Sequence, residues 1–176
     1  MHALPTLFLV GPTGAGKTTI GRMLAARLER PFIDIDEEIQ ARCGCDIAWI
    51  FDVEGEVGFR ERETKVLGDI VDTPNAVIST GAGIVLSPAN RALLAPHRQQ
   101  VIWLKVDLRT QLQRLKQDRT RPLLQVSGLE GRLKEMASVR EPLYATVAGL
   151  HITTGKSGPQ SIVTQILENL TETQPS

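Results

Sequence analysis

Gly11-Pro12-Thr13-Gly14-Ala15-Gly16-Lys17-Thr18-Thr19 fills every fixed position of the pattern G-x-x-x-x-G-K-[ST]. The apolar run Leu7-Phe8-Leu9-Val10 precedes it, suited to a buried parallel strand, and an amphipathic helical pattern follows at once. Strand, loop and helix in that order build an anion site. Glycine at 11, 14 and 16 lets the loop wrap closely and turn its N–H groups inward, where a Cβ would obstruct. Gly14, Ala15, Gly16, Lys17, Thr18 and Thr19 are therefore the candidate nucleotide contacts. Lys17 reaches toward the β- and γ-phosphates, Thr18 offers a hydroxyl to Mg²⁺, and the helix N-terminus adds its positive dipole end. A glycine-rich turn that binds nothing has no need of the lysine, the threonine and both flanking elements together.

Outward from the loop, apolar runs recur at 32–35, 76–80, 101–106 and 151–154, with helical patterns between them. This alternation predicts an α/β fold with five parallel strands and helices on both faces. Ile20, Leu24 and Leu28 fall on one stripe of the first helix, and Leu108, Leu112 and Leu115 on one stripe after the fourth strand. Ser87-Pro88 and Gly158-Pro159 read as helix starts with proline in the first turn. A length of 176 residues, 41% of them hydrophobic, suits one well-cored domain.

The 20 basic and 20 acidic residues cancel, so no global field points to nucleic acid or an anionic membrane. No run approaches the ~18 apolar residues of a membrane span, and no signal-type segment opens the chain, which fits a cytoplasmic protein. Cys43 and Cys45, two apart and with no histidine pair nearby, read as free thiols.

Asp34-Ile35-Asp36 closes the second strand, where period-two alternation would turn both carboxylates to one face. One could serve Mg²⁺ and the other a substrate hydroxyl; alternatively Asp36 caps the next helix. Strand three carries no aspartate, so Asp34 is the candidate carboxylate for the metal, with Thr18. Arg60 stands over Glu63 at i,i+3, which by spacing alone reads as a surface ion-pair ladder, and Arg140 is no more distinctive. Arg119-Thr120-Arg121-Pro122-Leu123-Leu124 is a basic, proline-containing loop that could bring a guanidinium over a nucleotide or be a solvated connector. Ser79-Thr80-Gly81-Ala82-Gly83 follows strand three with residues small enough for a ligand to approach the backbone.

The phosphate loop, Asp34-x-Asp36, Gly55-Glu56-x-x-Phe59-Arg60-x-x-Glu63, Gly81-x-Gly83, Arg121-Pro122-Leu123-Leu124 and Arg140-x-Pro142-Leu143-Tyr144 stand together in an order that resembles shikimate kinase. The resemblance runs from about Leu7 to the final helix. It implies a three-layer αβα P-loop kinase fold of the nucleoside monophosphate kinase-like kind, with a five-stranded parallel sheet. Residues 1–176 would be one kinase domain, with a substrate-binding segment at about 34–63 and a lid at about 114–126. The implied reaction is ATP- and Mg²⁺-dependent phosphorylation of the 3-hydroxyl of shikimate, on the way to chorismate and the aromatic amino acids, by a cytoplasmic protein that is usually a monomer. The implied partners are the small molecules ATP and shikimate, with no nucleic acid and no membrane.

By the same resemblance, Lys17, Asp36 and Arg121 are catalytic. Asp36 would accept the hydroxyl proton, and Arg121 would neutralise charge on the γ-phosphoryl group. Arg60 and Arg140 would clamp the substrate carboxylate, with Glu63 orienting Arg60 and Phe51 and Phe59 walling the ring. Gly81, Ala82 and Gly83 would meet substrate, and Arg114 and the turn at 156–159, with Pro159, would border the adenine. Ala82 departs from the family's three consecutive glycines; it keeps the backbone N–H and is expected to be tolerated if its φ is negative. Two rival readings are a kinase for another small acid such as gluconate and a nucleotide-binding module without catalysis.

Overall fold

The computed structural model describes residues 5–117 and 128–172, apart from the side chain of Glu172. Five strands, β1 (Leu7–Val10), β2 (Phe32–Asp34), β3 (Val77–Ser79), β4 (Val101–Val106) and β5 (Leu150–Thr154), form one sheet in the order β2-β3-β1-β4-β5. Every pairing is parallel, with Phe8 opposite both Ile78 and Val101. The five expected apolar runs are these strands, the second ending one residue sooner than its hydrophobicity suggests.

Burial follows position in the sheet. The central β1 and β3 are buried throughout, the edge strand β2 is half-buried, and the opposite edge β5 alternates between exposed and buried along Ile152, Thr153 and Thr154. The alternation of side chains along β1 separates two cores. Phe8 and Val10 enter one with Ile35, Phe59, Leu67 and Tyr144; Leu7 and Leu9 enter the other with Ile20, Leu24, Ile162 and Ile166. Helices α1 (Lys17–Leu28) and α7 (Pro159–Glu172) cover the second face. Helices α2 (Ile35–Cys43), α3 (Ile47–Ile70), α4 (Pro88–Leu94) and α6 (Leu129–Val147) cover the first, and α5 (Leu108–Gln117) follows β4. This is the αβα sandwich expected of alternating β and α units.

The helix starts at Pro88 and Pro159 are as expected, with Ser87 Oγ accepting from the N–H of Asn90 at 3.4 Å. Ile20 and Leu24 are buried on α1, with Leu28 partly so. The stripe on α5 is different: its buried residues are Gln111 and Leu115, while Leu108 and Leu112 are half-exposed. A polar side chain occupies the inner face, which hydrophobicity alone does not register.

The cysteines also differ from expectation. Cys43 ends α2, Gly44 turns the chain with φ +70°, and the two Cα atoms stand 5.2 Å apart, joined by a Cys43–Cys45 disulfide. In extended chain two residues separated by one stand about 6.6 Å apart at Cα, and the left-handed turn at Gly44 shortens that distance into the range a disulfide spans.

Candidate active site

The loop between β1 and α1 takes the conformation that its glycines permit. Gly11, Gly14 and Gly16 have φ of +148°, +83° and +94°. At Gly11 a Cβ would also stand 2.5 Å from the carbonyl oxygen of Leu104 on the neighbouring strand. Lys17 Nζ donates to the carbonyls of Gly11 at 2.7 Å and Pro12 at 3.0 Å, folding its ammonium back over the loop. Ala15, Gly16 and Thr19 line a cleft of about 460 Å³ with Arg114, Lys156 and Pro159. The loop and the turn expected to border a base therefore share one cavity.

Asp34 stands beside the loop, where its carboxylate does two things. Oδ1 accepts the N–H groups of Asp36 at 2.9 Å and Glu37 at 3.1 Å, capping α2, and Oδ2 accepts the hydroxyl of Thr18 at 3.0 Å. This corrects the expected strand alternation. The chain becomes helical at Ile35, so Asp36 lies in the first helical turn instead of two strand positions beyond Asp34. The capping residue is Asp34, not Asp36.

Asp36 instead faces the turn after β3. A Cβ on Gly81 would stand 3.3 Å from Asp36 Oδ1 and 2.7 Å from Glu63 Oε2, and one on Gly83 would overlap the guanidinium of Arg60. Both flanking glycines are thus needed for close approach. Ala82 between them is half-exposed and does not share the positive φ found, outside glycine, at Glu29 and Asn75 among the described residues. Its side chain is accommodated without backbone strain.

Arg60 and Glu63 are not a surface ladder. Arg60 Nη1 donates to Glu63 Oε1 at 2.9 Å, and the glutamate is wholly buried with the arginine side chain 23% exposed. Arg60 Nη2 also reaches Glu56 at 3.4 Å. Burial pushes the Glu63 carboxyl above its ordinary range; Arg60 opposes this, the neighbouring Asp36 adds to it, and Arg140 opposes it more weakly. Glu63 Oε2 is buried with no hydrogen-bond partner among the described residues.

Arg140, from α6, joins the same group. It lies against the hydroxyl of Tyr144, whose ionisation is pushed up by burial, with Arg140 pulling the other way. Tyr144 donates to the carbonyl oxygen of Ala82 and so ties α6 to the turn. In the sequence Tyr144 is marked only as an aromatic with a polar tip one helical turn after Arg140. Phe51 and Phe59 stack nearby with ring centres 4.9 Å apart. Arg121 and residues 118–126 of the expected lid lie outside the described residues.

A site with a phosphate loop at one end and two arginines around a buried carboxylate at the other agrees with comparisons to known proteins. The sequence model of shikimate kinase matches residues 13–171. The chain belongs to the shikimate kinase family. It is 47% identical to the shikimate kinase of Chromohalobacter salexigens over 95% of this chain and 92% of that one. It is 48% identical to that of Legionella pneumophila over 93% of each. Among solved structures, shikimate kinase from Acinetobacter baumannii in complex with shikimate superposes with a TM-score of 0.91 at 42% identity, over 98% of this chain and 96% of that one. The enzyme from Aquifex aeolicus does so with a TM-score of 0.81 at 31% identity, over 94% and 96%. The fold is that of the P-loop kinases, and the activity is ATP-dependent phosphorylation of shikimate.

Proposed function

We propose that the chain, as one kinase domain, transfers the γ-phosphoryl group of ATP in line to the 3-hydroxyl of shikimate, with no covalent enzyme intermediate. The supporting observation is the convergence of Asp36, Arg60, Glu63 and Arg140 on the Gly81-Ala82-Gly83 turn, beside the phosphate loop. In phosphoryl transfer the protein mainly positions reactants and neutralises charge. Arg60 and Arg140 hold the substrate carboxylate, a task for planar guanidinium forks. Glu63 fixes Arg60, Phe51 and Phe59 wall the ring, and Asp36 accepts the proton of the attacking hydroxyl. Lys17 and the N–H groups of residues 14–19 hold the phosphates, while Arg114 and Pro159 border the adenine. On resemblance alone, Arg121 neutralises charge on the transferring group within a lid at 114–126.

The oxygen donors of Thr18 and Asp34, 3.0 Å apart at the mouth of the loop, suit Mg²⁺, a hard cation that takes its other ligands from phosphate and water. When bound there, held by Thr18 and Asp34, Mg²⁺ would supply positive charge against that of the phosphates.

The protein works as a monomer in the cytoplasm on small molecules, without nucleic acid or membrane partners. The balance of 20 basic and 20 acidic residues supports the lack of a nucleic-acid partner; among the described residues no helix is long and apolar enough to cross a membrane. The test is ADP release from Mg²⁺-ATP with shikimate, gluconate or no acceptor, for the wild type and Asp36→Asn. Shikimate-dependent release, cut by about 100-fold or more in the variant while shikimate still binds, is the expected result. Wild-type turnover in Asp36→Asn would remove Asp36 as the base.

A further inference from the structure

Three consecutive carbonyls of the phosphate loop are gripped from outside by side chains of other elements. Gln111 Nε2 donates to the Thr13 carbonyl at 2.8 Å, and Arg114 Nη1 to the Gly14 carbonyl at 2.8 Å. Thr154 Oγ1 lies 3.3 Å from the Ala15 carbonyl and 3.1 Å from that of Lys105, either of which can accept its single proton. Because a trans peptide is planar, its C=O and the N–H that follows point in opposite directions. Drawing the Thr13 carbonyl toward α5 therefore turns the Gly14 N–H away from α5.

Gln111 differs from the other two. Arg114 and Thr154 also line the nucleotide cleft, whereas Gln111 meets the site through its amide on the Thr13 carbonyl. It is 6% exposed, on the inner face of α5 beside Leu115. That face is pressed against the loop, since a Cβ on Gly14 would stand 3.4 Å from Leu115 and 3.5 Å from Gln111. A buried amide is tolerated where it is hydrogen-bonded, and here the partner is the loop itself.

We propose that Gln111 is a positioning residue of the nucleotide site: its amide holds the Thr13 peptide so that the Gly14 N–H faces the nucleotide phosphates. The inference rests on reading residues 11–19 as the ATP phosphate loop. It predicts an effect confined to the phosphates, because on that reading the base lies against Arg114 and Pro159 and the acid substrate against Arg60 and Arg140, away from this peptide.

Equilibrium binding of ADP, adenosine and shikimate to the full-length wild type, Gln111→Met and Gln111→Glu tests it. Methionine keeps the length and burial but has no donor; glutamate keeps the shape but opposes the Thr13 carbonyl with charge, and supplies a second variant should the first not fold. ADP affinity should fall about tenfold, with adenosine and shikimate affinities within about twofold of wild type. ADP affinity equal to wild type in a folded variant overturns the proposal. So does a parallel loss of ADP and adenosine, which would mark general damage to packing. If the wild type itself bound no ADP, the reading of the loop would fail instead, which is a distinguishable result.

Discussion

Ala82 occupies the one position in its turn where a side chain fits. Its neighbours lie against Glu63, Asp36 and Arg60, so closely that a Cβ on either would meet their polar atoms. Ala82 itself avoids positive φ, so glycine there would relieve no strain and would add only unfolded-state entropy. Ala82→Gly should therefore leave the KM for shikimate within about threefold of wild type and lower stability by about 0.4–1 kcal/mol, measured by steady-state kinetics and urea unfolding. A large gain in shikimate affinity would show that alanine had been distorting the turn.

Glu63, the partner of Arg60, gives a pH signature. Its carboxyl is raised by burial, so at pH values between the ordinary glutamate range and the raised one the folded protein retains a proton that the unfolded chain has released. In that window the unfolded state binds fewer protons, and stability falls as pH rises. Glu63→Gln has no such proton to lose. The wild type's melting temperature minus the variant's should decrease as pH rises from about 4. A difference that does not change with pH would mean that Glu63 is ionised in both states. The two arginines could be quoted from sequence, but a buried glutamate between them could not be told from an exposed one by i,i+3 spacing, because helical spacing is the same on both faces.

At the scale of elements, α3 is two helices joined at Gly55, which has φ +70° and ψ −174°, a conformation essentially confined to glycine. Across the joint, Arg62 donates to both carboxylate oxygens of Glu54, at 2.8 and 2.6 Å. The first half carries Phe51 and the second Phe59, Arg60 and Glu63, so the kink sets one wall of the site against the other. Open space surrounds Gly55, and a substitution there meets no neighbour. Gly55→Ala should thus cost about 1–3 kcal/mol from the backbone alone, read by denaturant unfolding. A change below about 0.5 kcal/mol would mean that the joint can straighten freely. The sequence displays Gly55 inside a helical pattern, yet an isolated glycine is compatible with a continuous helix. The kink comes from packing both halves on one core, and that is a tertiary fact. On α5, the inner face belongs to Gln111 because the phosphate loop offers a carbonyl there, and a hydrophobic pattern cannot anticipate a polar partner from another element.

At the scale of the molecule, the sheet separates two buried cores among the described residues. Leu24 of α1 belongs to one and Leu67 of α3 to the other, and both are fully buried. Each truncation to alanine should cost about 2–5 kcal/mol, and the double variant should equal the sum within about 0.5 kcal/mol, because the two side chains belong to separate clusters. Strong non-additivity in urea unfolding would show that the faces are mechanically coupled through β1.

The five strands and their alternation with helices are legible in the chain, because a parallel sheet covered on both faces demands short, near-continuous apolar runs between helical patterns. So is the phosphate loop, whose glycines, lysine and threonine act through local backbone geometry. Which polar groups meet is set by tertiary packing. The order β2-β3-β1-β4-β5 brings Asp34 beside Thr18, Arg60 and Arg140 around Glu63, and Gln111 onto Thr13, joining residues up to 98 positions apart. Such contacts depend on strand order and burial, which have no local period, and a linear pattern therefore cannot encode them legibly.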